Sequence, residues 1–168
     1  MTVVDARDIY PSMQFIDLVA KMTEETFAEM VAASPRKIRE TLFQRLGIKA
    51  KKSIGLKVHG KLEERTKKLH EKLKTADTEQ ENRLCEELVR NWLYTKRPLL
   101  KATLDYLNIK NDNGLVEEEP TFFQELTADK VRELVTHLRG QGFPHEHIAL
   151  YLHFVKTPHV DDVLKEAA

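Results

Sequence analysis

The chain is poor in cysteine, glycine and proline, and it contains no long apolar run. Its single cysteine, Cys85, excludes an internal disulfide and is typical of a protein from a reducing compartment. No segment approaches the roughly 18 consecutive apolar residues that a membrane-spanning helix needs. Residues 1–11 also lack the apolar core of a secretory signal. We therefore expect a cytoplasmic protein that makes no contact with a membrane.

The scarcity of helix-breaking residues favours helical structure along the whole chain. Only six glycines and six prolines occur in 168 residues, and most of them separate segments whose apolar residues recur at helical spacing. This predicts an all-α fold, a compact multi-helix bundle of about eight helices that forms one domain over residues 1–168. Within it we expect N-terminal helices over 11–46, an antiparallel helical hairpin plus one helix over 61–107, and a C-terminal tri-helical unit over 120–166.

Several polar residues mark the ends of these helices. Thr23 and Thr127 precede apolar-periodic segments and are predicted to cap the helices that follow. Thr78 and Glu81 have the spacing of a capping box. Gly47 follows the third apolar stripe and predicts its end.

The charges are distributed unevenly along a chain that is neutral as a whole. The totals are 27 basic and 27 acidic residues, but residues 34–74 contain fourteen lysines or arginines and only four acidic residues. The remainder of the chain therefore carries an equal excess of negative charge. Within the basic part, Ile54, Leu56 and Val58 alternate as in a strand, but no second strand is evident to pair with them, so we expect a basic loop over 47–60.

This basic segment is the strongest candidate for a functional surface. We predict a non-catalytic protein-interaction or regulatory module that contacts an acidic protein surface, or a second copy of itself, because charge complementarity steers association. The alternative is a sequence-nonspecific nucleic-acid-binding protein that uses the Lys/Arg-rich 36–74 segment. Phe43 is the only aromatic residue of the segment besides histidine, so platforms for stacking single-stranded bases are lacking. The candidate binding residues are Arg45, Lys49, Lys51, Lys52, Lys57, Lys61, Lys67, Lys68 and Lys72.

The C-terminal third resembles a helix-turn-helix pattern, with a glycine-containing turn between two of its predicted helices. The helix that would read DNA presents Asp161 and Asp162, which the phosphates flanking a major groove would repel. Both aspartates are better placed as partners of a helix N-terminus. We interpret this third of the chain as a structural unit.

Other chemistries find little support in the sequence. Five of the seven histidines lie between His137 and His159, but none has a second histidine four residues away, as a zinc-binding helix requires. Residues 109–120 place no carboxylate at the first and last positions of a calcium loop, and no glycine-rich phosphate loop occurs. We therefore predict no enzyme activity, metal or cofactor. A further hypothesis is that the histidine-rich end loosens as the pH falls through about 6.5.

Overall fold

Nine α-helices and one short 3-10 helix account for most of the part of the chain that the computed structural model describes, residues 15–48, 61–76, 78–118 and 121–167. No strand occurs in these ranges, and the predicted all-α fold is confirmed. The 3-10 helix spans Phe122–Glu125. The α-helices are α1 (Phe15–Lys21), α2 (Glu24–Ala33), α3 (Arg36–Arg45), α4 (Lys61–Leu73), α5 (Glu79–Tyr94), α6 (Arg97–Tyr106), α7 (Ala128–Gly140), α8 (His145–Phe154) and α9 (Val160–Ala167).

The predicted caps are present at three helices. The hydroxyls of Thr23 and Thr127 accept hydrogen bonds from backbone N–H groups three residues on, at 3.3 and 3.2 Å. Thr78 accepts a longer bond, 3.4 Å, from the N–H of Glu81. The side chain of Glu81 does not complete a capping box, because it bonds Arg45 instead. The carboxylate that the local pattern assigned to the cap thus forms a half-buried ion pair with Arg45.

Contacts between Cα atoms divide the chain into two compact units, Met1–Leu88 and Val89–Ala168, with the boundary inside α5. In the first unit α4 packs chiefly on the three helices that precede it. The antiparallel hairpin expected over 61–107 stays a prediction. The apolar and aromatic residues of α2 and α3, among them Phe27 and Phe43, supply the core that α4 covers. The expectation of a single domain stays a prediction.

The second unit has its core around Trp92, Phe123 and the inward-facing leucines of α7 and α8. Helices α7, α8 and α9 pack on one another, which confirms the predicted tri-helical unit. Helix α7 follows its cap Thr127, α8 follows Pro144, and α9 begins two residues after Pro158. Threonine and proline thus mark the helix starts in the sequence. Within the described residues, no helix is both long and apolar enough to cross a bilayer.

A tight polar turn follows α6 in the second unit. The backbone of Asp112 pairs with that of Leu115 through two hydrogen bonds of 2.8 and 3.0 Å, and the side-chain oxygen of Asn111 accepts from the N–H of Gly114 at 2.9 Å. Gly114 has a φ of +88°, and a Cβ at this position would lie 2.7 Å from the Cβ of Leu100. Glycine is therefore required here, both for the left-handed backbone and for the close approach to α6. The sequence Asn111-Asp112-Asn113-Gly114 is typical of a polar turn, and these contacts agree with it.

Candidate partner-binding surfaces

The predicted binding residues lie on two neighbouring helices or outside the described ranges. Arg45 ends α3, and Lys67, Lys68 and Lys72 belong to α4, which packs on α3. The side chain of Lys61, the first residue of α4, lies outside the described part of the chain. So do four other predicted residues, Lys49, Lys51, Lys52 and Lys57, together with the predicted loop that contains them.

Two of the predicted cations hold the first unit together. Arg45 Nε donates to Glu81 Oε1 at 2.9 Å, and the Glu81 side chain is only 6% exposed. Lys72 Nζ donates to the carbonyl oxygen of Leu46 at 2.6 Å, and so satisfies an orphan carbonyl at the end of α3. Removing either cation would leave a polar group without its partner. We therefore assign both residues a structural contribution, whatever else they bind.

Arg65 is also engaged within the unit. Its two terminal nitrogens donate to the two carboxylate oxygens of Glu40 at 3.2 and 3.0 Å. Its guanidinium carbon lies 4.1 Å from the centre of the Phe43 ring. The ring itself is fully buried. Phe43 is therefore covered by this arginine and offers no face on which a base could stack.

Other cations of α3 and α4 remain on the surface. Arg36, Lys37 and Lys68 are exposed, and no carboxylate in the described residues pairs with them. Arg39 is partly buried, and its Nε makes no hydrogen bond within the described structure. Lys68 lies between Arg65 and Lys72 at helical spacing, on the side of α4 that contacts α3. We call Arg36, Lys37, Arg39 and Lys68 the basic face.

The two cations in the first turn of α3 are electrostatically unfavourable there. The helix follows Pro35, has no side-chain cap and has no acidic residue in its first turn. The positive end of the helix dipole repels cations, and each costs about 0.3–1 kcal/mol at an exposed N-terminus. The nine predicted binding residues did not single out Arg36 and Lys37, although both lie in the predicted Lys/Arg-rich 36–74 segment. The signal that could have found them is this reversal of the usual charge preference directly after a proline.

A surface groove in the second unit has the opposite charge. Its volume is about 530 Å³, and the turn after α6 together with the start of the 3-10 helix forms it. Three exposed carboxylates belong to it, and no cation in the described residues pairs with them. The groove is lined by Ile109, Lys110, Asn111, Asp112, Leu115, Val116, Glu117, Glu118, Thr121 and Phe122, and we call it the acidic groove.

A smaller groove of about 300 Å³ lies between α2 and α4 in the first unit. His70 lines it, with only 5% of the residue exposed. The ring of His70 stacks on Phe27 with 4.5 Å between centroids, and Nε2 lies 3.1 Å from the carbonyl oxygen of Val19. A carbonyl can only accept, so Nε2 carries the proton of this hydrogen bond. The histidine therefore joins α4 to α1 and is a core residue.

Three of the five C-terminal histidines make separate contacts within the second unit, whereas the buried Nδ1 of His145 makes no hydrogen bond in the described structure. The rings of His137 and His147 pack against aromatic rings, with centroids 4.3 and 4.8 Å apart. His153 Nε2 lies 3.1 Å from Asp161 Oδ1. One carboxylate of α9, the helix that would read DNA in a helix-turn-helix, thus contacts a histidine of the same unit. Burial lowers the pKa of His153, and the neighbouring carboxylate only partly offsets this effect. Among the described residues, no three His, Cys, Asp or Glu side chains are grouped so that they could hold a metal ion.

Cys85 lies fully buried on α5, where the helical spacing of Cys85, Leu88, Val89 and Trp92 in the sequence predicts an apolar stripe. Burial, assisted by the negative charge of Glu81, raises the pKa of the thiol to about 12. The thiolate is the reactive form of cysteine, so this residue is chemically inert in the folded protein at neutral pH.

Comparison with known proteins gives no match. No protein-family model fits the chain, and neither a curated protein nor a solved structure resembles it significantly. The function is therefore inferred from the charges and contacts described above.

Proposed function

We propose that this protein is a non-catalytic, cytoplasmic interaction module whose basic face binds an acidic surface of a partner protein. The observation that carries the proposal is the pair of unneutralised cations, Arg36 and Lys37, in the first turn of α3. They weaken the helix in the isolated chain, so its stability does not account for them. Residues that oppose the charge preference of a helix end in this way are often found at functional sites.

An acidic partner would reverse this electrostatic penalty. A carboxylate placed near Arg36 and Lys37 would meet two cations and the positive end of the helix dipole together. Lys68 on the adjacent helix and Arg39 on α3 add further positive charge in the same unit. Complementary charge of this kind accelerates association and fixes the orientation of the partner.

The contacts that Phe43 and Arg65 make within the unit favour a protein partner over nucleic acid. Phe43 lies under Arg65, and the planar fork of Arg65 is already used by Glu40. Stacking and bidentate phosphate contacts are what strengthen nucleic-acid binding beyond a general attraction. Phe43 and Arg65 offer neither kind of contact to a ligand. Nucleic-acid binding remains the alternative, and the same experiment tests it.

The test compares three labelled ligands by fluorescence anisotropy at 50 and 200 mM salt: a peptide of aspartate and glutamate, duplex DNA and single-stranded RNA. We expect the acidic peptide to bind, more weakly at the higher salt, and the variant Arg36→Glu/Lys37→Glu to lose the binding. Lys156→Glu/Lys165→Glu is the matched control, because both lysines are exposed in the other unit and the change in net charge is the same. Binding of DNA or RNA without the peptide would make the alternative the better account.

The same variant also separates binding from folding. Glutamates in the first turn of α3 should suit the helix dipole, so we expect the free energy of unfolding to rise by about 1–2 kcal/mol. A urea titration followed by circular dichroism measures this change. A variant that loses both affinity and stability would contradict the proposal, since the two cations would then serve the fold.

A further inference from the structure

We propose that the acidic groove binds residues 49–58 of a second copy of this chain. This inference rests on the proposed function, because residues 49–58 belong to the same basic segment, residues 34–74, as the basic face, and it identifies the acidic partner as a second copy of the chain. It adds a receptor site on the second unit and an occupant of stated sequence.

The lining of the groove combines apolar surface with negative charge. Ile109, Leu115, Val116 and Phe122 supply the apolar part, and Leu115 is 37% exposed. It is one of three large hydrophobic residues that are exposed among the described residues. Apolar side chains that remain accessible in a concave site are typical of surfaces that receive a partner.

The charged part of the lining is strongly acidic. Asp112, Glu117 and Glu118 are exposed, and Lys110 is the one basic residue of the lining. No cation in the described residues neutralises the three carboxylates. The groove therefore favours a ligand that carries several positive charges as well as apolar side chains.

The wall of the groove is held in place before any ligand arrives. Asp112 and Leu115 exchange two backbone hydrogen bonds, and Asn111 holds the turn through both Gly114 and Asp105. The close approach of Gly114 to α6 fixes this turn on a helix. A preformed site loses little conformational entropy on binding, so more of the contact energy appears as affinity.

Residues 49–58 have the complementary chemistry. They contain Lys49, Lys51, Lys52 and Lys57 and no acidic residue. Their apolar residues Ile54, Leu56 and Val58 alternate, so that an extended peptide of this sequence would present all three on one side. The apolar side would meet the apolar lining while the lysines meet the carboxylates.

A second copy fits this role because each copy offers both a groove and a segment. Two copies can exchange their segments reciprocally, which gives a closed assembly with two-fold symmetry. The whole-chain charge of zero and pI of about 7.1 leave no net repulsion to oppose such pairing. The excess of positive charge in residues 34–74 is then balanced by the negative remainder of the partner copy.

The first experiment titrates a fluorescein-labelled synthetic peptide of residues 48–60 with the full chain at 50 mM salt. We expect saturable binding that weakens at 200 mM salt, and at least a tenfold loss of affinity in Glu117→Lys/Glu118→Lys, which corresponds to about 1.4 kcal/mol. Glu125→Lys/Glu133→Lys is the matched control in the same unit, outside the groove, and should bind the peptide nearly as well as the unchanged chain. Absence of binding, or equal losses in the two variants, would overturn the proposal.

A second peptide tests the apolar contact. It keeps every lysine but carries serine in place of Ile54, Leu56 and Val58, and it should bind at least tenfold more weakly. Equal affinity of the two peptides would mean that charge alone attracts the segment and that the groove does not recognise it.

Sedimentation of the full chain then decides whether the occupant comes from another copy. We expect the mass to rise from 19.5 kDa toward twice that value with concentration, and Glu117→Lys/Glu118→Lys to stay monomeric. A mass that stays at 19.5 kDa at every concentration would overturn the assignment to a second copy. Failure here is distinct from failure of the proposed function, because the acidic peptide would still bind through Arg36 and Lys37.

Discussion

Three glycines of the second unit allow the cost of backbone strain to be separated from the cost of a close contact. Gly140 is helical and has no atom within 4 Å of the position where a Cβ would stand. Gly142 has the same open space but a φ of +90°. Gly114 has a φ of +88°, and its Cβ would lie 2.7 Å from Leu100 Cβ and 2.9 Å from the backbone nitrogen of Lys101. We propose alanine at each position in turn.

The expected losses of stability follow from these differences. Gly140→Ala should be neutral or stabilising by up to about 1 kcal/mol, because alanine favours a helix more than glycine does. Gly142→Ala should cost about 1–2 kcal/mol for the left-handed backbone alone. Gly114→Ala adds an overlap with the backbone of α6, and overpacking of this kind costs about 1–3 kcal/mol more. We therefore expect a total loss of about 2–5 kcal/mol at Gly114.

Urea denaturation followed by the fluorescence of Trp92 is a suitable assay. Trp92 is the single tryptophan of the chain, it is fully buried, and it belongs to the same unit as the three glycines. The midpoint of the transition and its slope together give the free energy of unfolding. A Gly114→Ala variant no less stable than Gly142→Ala would show that the turn does not approach α6 as described. A large loss at Gly140 would undermine the comparison as a whole.

Three further changes test other contacts. Arg65→Ala should cost about 1–2 kcal/mol, because it removes a bidentate carboxylate contact and a cation over an aromatic face, whereas Lys67→Ala should cost close to nothing, because its ion pair is long and solvent-exposed. Cys85 should not react with a thiol reagent at pH 8 until the protein unfolds, since its thiol is buried and its pKa is raised to about 12. Burial lowers the pKa of His153 below 6.5. As the pH falls below 6.5, the unfolded chain therefore takes up more protons than the folded one, and the stability of the fold declines. The variant His153→Asn should reduce this decline between about pH 7.5 and 5.5.

Each of these expectations has a result that contradicts it. Equal losses of stability in Arg65→Ala and Lys67→Ala, measured by urea denaturation, would mean that the bidentate carboxylate contact of Arg65 contributes little to stability. Rapid labelling of Cys85 in the native protein would mean that α5 opens often. An unchanged thermal midpoint of the whole protein from pH 7.5 to 5.5 would refute the histidine hypothesis. A decline of the same size in the variant His153→Asn would assign the pH dependence to another histidine.

The helices could be predicted from the sequence because their signals are local. Periodic apolar residues, threonine caps and the stop at Gly47, whose φ is +71°, act within a few residues of one another. The burial of Cys85 followed from the same periodicity. The candidate surface was only partly predictable. Lys68 was found as an exposed cation, but Arg45 and Lys72 turned out to be engaged within their own unit.

Other features were decided only by the tertiary structure. Arg45 and Glu81 are separated by 36 positions, and nothing near either residue indicates their bond, which takes Glu81 from its expected cap. The contact of Gly114 with α6, and the groove that the turn forms, also depend on where distant segments meet. Charge and periodicity fix which residues seek water or a core, since they act through the residue itself and its neighbours. Which cation finds a carboxylate, and which stays available to a partner, depends on distances that only the packed helices determine.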